Sequence, residues 1–137
     1  MFPRERDLQK FVEACMGMGP FRDLRVFQDG RRAVGREYHL PDGQRVDLLC
    51  EERTKRGLGR LVAIELKREN EQGTVEQVIR YIKALRTLFA PRKVRGLIIT
   101  AHEDLDAASS LKGALLDGYE IEWHCYRVDF KEAGHGD

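Results

Sequence analysis

The sequence predicts an α/β fold in which helices pack on a mixed central β-sheet. The periodic segments occur in the order α-β-β-β-β-α-β-α-β. Hairpin strands in the first half give way to strand–helix–strand crossovers in the second, and such crossovers join parallel neighbours. Val94–Thr100 is almost wholly apolar, as expected of a strand buried on both faces.

The elements follow in chain order. Leu8, Phe11, Val12 and Cys15 recur at helical spacing, which predicts a first helix from Arg4 to Met16 with Pro3 at its entry. Gly17, Gly19 and Pro20 end it. Leu24–Gln28 and Ala33–Leu40 read as strands about the turn Asp29-Gly30, and Pro41-Asp42-Gly43 makes a second turn. Gln44–Glu51 and Arg60–Lys67 are the next two strands, with Glu52 to Gly59 expected as a polar hairpin loop. The stripe Val75, Val78, Ile79, Ile82, Leu85 and Phe89 predicts a helix over Thr74–Phe89, with Pro91 beyond its end. After the apolar strand come a helix over Leu105–Leu116, stopped at Gly118, and a last strand over Tyr119–Phe130. Lys131–Asp137 is expected to be a frayed tail.

Bulk properties narrow the class. With 137 residues, 42% of them hydrophobic, the chain is expected to form one domain, residues 1–137, without staples. No apolar run approaches the ~20 residues of a membrane span, and Met1 to Asp7 lack a signal peptide's apolar segment. A cytoplasmic, soluble protein without a membrane partner is the expectation. Cys15, Cys50 and Cys125 are scattered and odd in number, which argues against a disulfide framework and a zinc site. The net charge of +1 conceals an asymmetry: residues 51–95 hold 12 Lys/Arg against 6 Asp/Glu, and residues 96–137 hold 3 against 9. The basic third suits phosphates or is a solvated face; charge alone does not separate the two.

The candidate chemistry lies at the end of Arg60–Lys67. Side chains alternate along a strand, so Val62, Ile64 and Leu66 point one way, and Glu65 and Lys67 the other. The preceding strand carries Asp47, a lone carboxylate in the apolar run Val46–Cys50. If the two strands pair as a hairpin, Asp47 lies across from Glu65. Two carboxylates on one face need a proton or a cation between them, and hard oxygen ligands suit Mg²⁺ or Mn²⁺. Glu65-x-Lys67 alone equally describes a surface ion pair; order and setting give it weight.

That setting resembles a known family. Gly43-Gln44-Arg45-Val46-Asp47-Leu48-Leu49, then a turn, then Leu61-Val62-Ala63-Ile64-Glu65-Leu66-Lys67-Arg68 resembles the active-site hairpin of the PD-(D/E)xK, or restriction-endonuclease-like, nucleases. Glu76-Gln77-Val78-Ile79-Arg80-Tyr81 resembles the Gln-x-x-x-Tyr motif of the following helix, and Glu5-Arg6-Asp7-Leu8-Gln9-Lys10-Phe11 the glutamate motif of the first. Within that superfamily the likeness is strongest to the nuclease domain of NucS/EndoMS-type endonucleases, from Glu5 through Thr100.

The resemblance implies roles. Asp47, Glu65 and the backbone carbonyl of Leu66 would hold Mg²⁺ or Mn²⁺. Lys67 would orient or deprotonate the attacking water and stabilise charge on the phosphate. Gln77 would hold the site from its helix, and Glu5 would position a second metal or a water. Tyr81, four residues beyond Gln77 on the same face, would contact nucleic acid; apart from the resemblance, Arg80, at helical spacing with Lys83 and Arg86, and Arg68 are further candidates for phosphate contacts. Several of these have plainer readings: Gln77 and Tyr81 as packing, Glu5 as a favourable charge at a helix N-terminus, Arg80 with Lys83 and Arg86 as a solvated face. His39, His102, His124 and His135 are read as structural, although His102 follows a strand end.

The expected function is a divalent-metal-dependent DNA endonuclease that hydrolyses phosphodiester bonds, DNA being preferred to RNA by analogy. NucS-type proteins carry a DNA-binding and dimerisation domain ahead of the nuclease domain. Here the motifs begin at Glu5, so the expectation is that nothing precedes the nuclease unit. A homodimer or a partner would then help it grip a duplex and cut both strands. The alternatives are a catalytically silent nucleic-acid-binding module on the same fold and a nuclease subunit active only with a partner. A junction resolvase is a further option within the enzyme class.

Overall fold

The structure is a computed structural model that describes residues 4–68, 73–101 and 107–126. Helix α1 spans Glu5–Ala14 and a 3-10 turn spans Gly19–Phe21. Strands β1 to β6 follow at Leu24–Val26, Gln28–Asp29, Arg32–Ala33, Arg36–His39, Arg45–Thr54 and Gly57–Lys67. Helix α2 (Thr74–Leu88), strand β7 (Val94–Thr100), helix α3 (Ala107–Leu116) and strand β8 (Ile121–Cys125) complete the order.

The central sheet is mixed, as expected. β6 pairs antiparallel with β5 and parallel with β7, and β7 pairs parallel with β8. β1 and β4 share the far edge of β5: β1 lies against Cys50–Glu52 and β4 against Arg45–Leu48. The predicted alternation along β6 holds. Val62, Ile64 and Leu66 meet Leu8 and Val12 of α1 in one buried cluster. Leu61 and Ala63 meet Val75, Val78, Ile82 and Leu85 of α2 in the other. Helices therefore cover both faces.

Two expectations about the strands change. The two strands expected over Leu24–Gln28 and Ala33–Leu40 are four short ones. β2 and β3 form a separate hairpin across Gly30, which takes φ +63°. One edge of β5 serves both β1 and β4, so the chain leaves the sheet after Val26 and returns at Gly35. At Gly35 a Cβ would lie 2.0 Å from the Leu49 carbonyl oxygen; only glycine lets the strands close there. The expected loop Glu52–Gly59 is mostly strand, because β5 runs to Thr54 and β6 starts at Gly57, leaving Lys55-Arg56 as the turn.

The helices begin and end near their predicted limits. α1 is shorter than the expected Arg4–Met16, and Gly17 turns the chain with φ +82°. Helix α2 presses closely on the sheet, since a Cβ at Gly96 would fall 2.4 Å from Val78 Cγ1. Leu105, the expected start of α3, the last residues of the expected final strand and the tail 131–137 lie outside the described residues. No helix among those described is long and apolar enough to cross a membrane.

Candidate active site

The site forms where β5 and β6 part. Their ladder runs to the pair Leu48↔Ile64. Beyond it the Asp47 side chain supplies the missing partner: the Leu66 backbone N–H donates to Asp47 Oδ2 at 2.9 Å. The hairpin therefore brings Asp47 and Glu65 together as the sequence predicted, with Lys67 closing the strand. These residues sit at the carboxyl end of β6, in register with the end of β7 (Lys67↔Thr100). In open α/β sheets that is the end where ligands bind.

Glu65 is 2% exposed, and its Oε2 is buried without a hydrogen-bond partner. Burial first, and then the adjoining Asp47 carboxylate, push the Glu65 carboxyl up to about 9; the Lys67 ammonium and the Tyr81 hydroxyl act the other way. Tyr81 reaches the cluster from α2. It is 2% exposed, and Gln77 Nε2 donates to its hydroxyl at 2.7 Å. Burial, followed by the Glu65 charge, drives the Tyr81 hydroxyl well above its ordinary range.

A second buried acid offers a contrast. Glu51, 1% exposed, receives Arg25 Nε at 2.9 Å and Arg92 Nη1 at 3.0 Å. Two guanidinium groups thus neutralise Glu51, whereas among the described residues Glu65 faces the Asp47 carboxylate, with the Lys67 ammonium and the Tyr81 hydroxyl opposing it. A buried charge left in that state is costly unless a proton or cation joins it. Glu65 and Asp47 are therefore the donor set that fits an added cation. Among the described residues no three His, Cys, Asp or Glu side chains gather at one point.

The other expected residues are distributed as follows. Gln77 and Tyr81 join the carboxylates. Tyr81 lies in the core beneath them, where its hydroxyl meets Glu65; the contact with nucleic acid expected of it stays an expectation. Arg68 directly follows β6, where its charge acts on the Tyr126 hydroxyl. Arg80 lies on the exposed face of α2. Glu5 opens α1, but its side chain, like His102, falls outside the described part. The sequence reading missed the Glu51 pairing; a glutamate in an otherwise apolar strand was the available signal.

Comparison with known proteins places this chain in a family. Residues 12–127 match the model of the endonuclease NucS C-terminal domain. The chain is 47% identical over 64 residues to Endonuclease NucS of Mycolicibacterium smegmatis, an alignment covering 45% of this chain and 26% of that protein. It is 29% identical over 93 residues to Endonuclease NucS of Methanocaldococcus jannaschii, covering 67% and 34%. The chain thus spans about a quarter to a third of the length of these relatives. In fold it is similar to a repair endonuclease from Pyrococcus abyssi (TM-score 0.62, 21% identity, 93% of this chain and 48% of that one). It is equally similar to an EndoMS–dsDNA complex (TM-score 0.61, 21% identity, 93% and 47%). By the extent of the family match, the chain belongs to the endonuclease NucS C-terminal domain family.

Proposed function

We propose that this chain is the cleaving unit of a divalent-metal-dependent DNA endonuclease. One observation carries the reading: of two buried glutamates, Glu51 is neutralised by arginines, and Glu65 is held against Asp47 with an orphaned oxygen. Asp47 and Glu65 would hold Mg²⁺ or Mn²⁺. In a strand the N–H and C=O of one residue point the same way, so the Leu66 carbonyl shares the side of Asp47 and suits a further ligand. A bound cation would supply Lewis-acid stabilisation of phosphate charge and a more acidic water.

The chain's own groups supply the rest. Lys67 extends the side that bears Glu65; as an ammonium it would orient the attacking water and stabilise charge gathering on the phosphate, and as a neutral amine it would take the water's proton. Gln77 fixes the Tyr81 hydroxyl, and Tyr81 fixes Glu65, so the carboxylate meets its ligand in one orientation. Arg68 and Arg80 offer guanidinium groups to flanking phosphates. Glu5 would position a second metal or a water. DNA as substrate and a homodimer as the unit that cuts both strands are part of this proposal; the names of the relatives support the first.

The test is a cleavage time course on labelled single-stranded, duplex, mismatched and branched DNA with Mg²⁺, Mn²⁺ or EDTA, beside Lys67→Ala. Metal-dependent cutting that disappears in the variant is expected, and the preferred substrate names the DNA structure. Binding without cutting under every condition would replace the enzyme with a binding module.

A further inference from the structure

The β5–β6 hairpin outruns the sheet. β6 joins β7 only from Leu61, and β5 joins β1 only up to Glu52. Apart from the Arg53 backbone N–H, which donates to the Asp23 carbonyl at 2.6 Å, residues 53–58 pair only with each other, as a two-stranded ribbon with Arg53 opposite Leu58 and Thr54 opposite Gly57. Its turn is locally fixed. The Thr54 hydroxyl accepts the Arg56 N–H at 3.2 Å and donates to the Gly57 carbonyl at 2.8 Å. Gly57 takes φ +114°, a conformation that side chains resist.

The ribbon's charge has one sign. Arg53, Lys55 and Arg56 are exposed, and residues 53–58 contain no acid. None of the three has an ion-pair partner among the described residues. At the base the pattern reverses: Glu52 binds Arg60 at 2.9 Å and Arg95 at 3.0 Å, and Glu51 binds Arg92. The base cations are tied into the fold, and the tip cations are not. Charge of either sign would keep an unpaired ribbon from edge-to-edge association; a rigid, purely cationic tip matches a polyanion. Arg60, Arg86, Arg92 and Lys93 line a cleft of about 440 Å³ together with Glu120, which pairs with Arg60.

The spacing fits the site already described. From Gly57 to Lys67 the chain is one continuous strand, roughly 33 Å at ~3.3 Å per residue. One turn of duplex DNA is about 34 Å, and its major groove admits a two-stranded ribbon. We infer that the ribbon at residues 53–58 grips the backbone of a duplex about one helical turn from the phosphate held at Lys67, through Arg53, Lys55 and Arg56. The assignment rests on the proposed function for the position of that phosphate.

The experiment compares the wild type with Arg53→Ala/Lys55→Ala/Arg56→Ala, measuring fluorescence anisotropy on a 6-bp DNA hairpin and a 30-bp duplex in EDTA across a salt series. Each phosphate contact contributes about 0.9 to the slope of log affinity against log salt. The triple variant is expected to lose about 2–3 from that slope on the 30-bp duplex, and to bind it about 10-fold more weakly or worse at low salt. The 6-bp hairpin, about 20 Å long, is too short to span both points, so the difference between the two proteins should be much smaller there. Arg53→Lys/Arg56→Lys keeps the charge and should retain the slope, which separates lost contacts from a misfolded hairpin. Equal slopes and affinities on the 30-bp duplex would overturn the inference. Because binding is read without metal, a wild type that never cuts would refute the cleavage reading and leave the ribbon result standing.

Discussion

The buried Glu65–Asp47 pair should make the metal-free protein lose stability as pH rises, and Glu65→Gln should abolish that loss. The Glu65 carboxyl moves from 4.5 to about 9 on folding, through burial, the Asp47 carboxylate on β5 and the opposing Lys67 and Tyr81 on β6 and α2. Between those values the folded state keeps a proton that the unfolded chain has released. Stability from this group is complete below about 4.5 and is lost progressively towards 9. Each pH unit inside the window is worth about 1.4 kcal/mol, so a step from pH 6 to pH 8 removes about 2–3 kcal/mol. A domain of this size has roughly 5–15 kcal/mol in all, so the loss moves a urea midpoint by about 1 M. Tyr81 and Cys50 titrate above their ordinary values, beyond this window, and the histidines cancel when two variants are compared. The assay is urea unfolding in EDTA at both pH values for wild type and Glu65→Gln. Wild type should fall and the variant should stay level, ending more stable at pH 8. Parallel pH slopes would refute the reasoning. Saturating Mn²⁺ should flatten the wild-type slope, because a cation then stands where the proton stood.

Further predictions follow from the packing around the site. Gly96→Ala places a Cβ 2.4 Å from Val78 Cγ1, and overpacking of this kind costs about 1–3 kcal/mol; adding Val78→Ala should restore much of it, as a double-mutant cycle in urea will read. Glu51→Gln leaves Arg25 and Arg92 facing a neutral amide and should cost about 3 kcal/mol in chemical denaturation, the low end for broken buried pairs because both guanidinium groups keep some solvent. Gln77→Ala removes the 2.7 Å bond to Tyr81 and should lower metal affinity or turnover about 10–100-fold, leaving the melting temperature nearly unchanged; an unchanged rate would show that Tyr81 holds its place by packing alone.

Much of this fold is legible in periodicity, and the exceptions have physical causes. Arg60–Lys67 alternates strictly, so its faces and the shared side of Glu65 and Lys67 follow from strand geometry. Pairing across the hairpin brings in Asp47, and i, i+4 spacing brings in Gln77 with Tyr81. The depth of Tyr81 is not written in that spacing, because a tyrosine beside an apolar stripe suits either the surface or the core; the closeness of α2, set by Gly96, decides it. The ribbon was hidden because its residues are charged: an unpaired two-stranded ribbon has no core to face, so residues 53–58 lack apolar alternation. The division of Leu24–Leu40 into four strands was hidden too, since it depends on how much of the β5 edge β1 and β4 each occupy.

In the proposed reaction Asp47 and Glu65 hold a divalent cation while Lys67 acts on the phosphate. The most direct test is Mn²⁺ binding by electron paramagnetic resonance, measured beside single-turnover DNA cleavage, for wild type, Asp47→Asn, Glu65→Gln and Lys67→Ala. Wild type should bind and cut, the two carboxylate variants should lose both properties, and Lys67→Ala should bind Mn²⁺ and fail to cut. Undiminished Mn²⁺ binding in the carboxylate variants, or full cleavage by Lys67→Ala, would contradict the account.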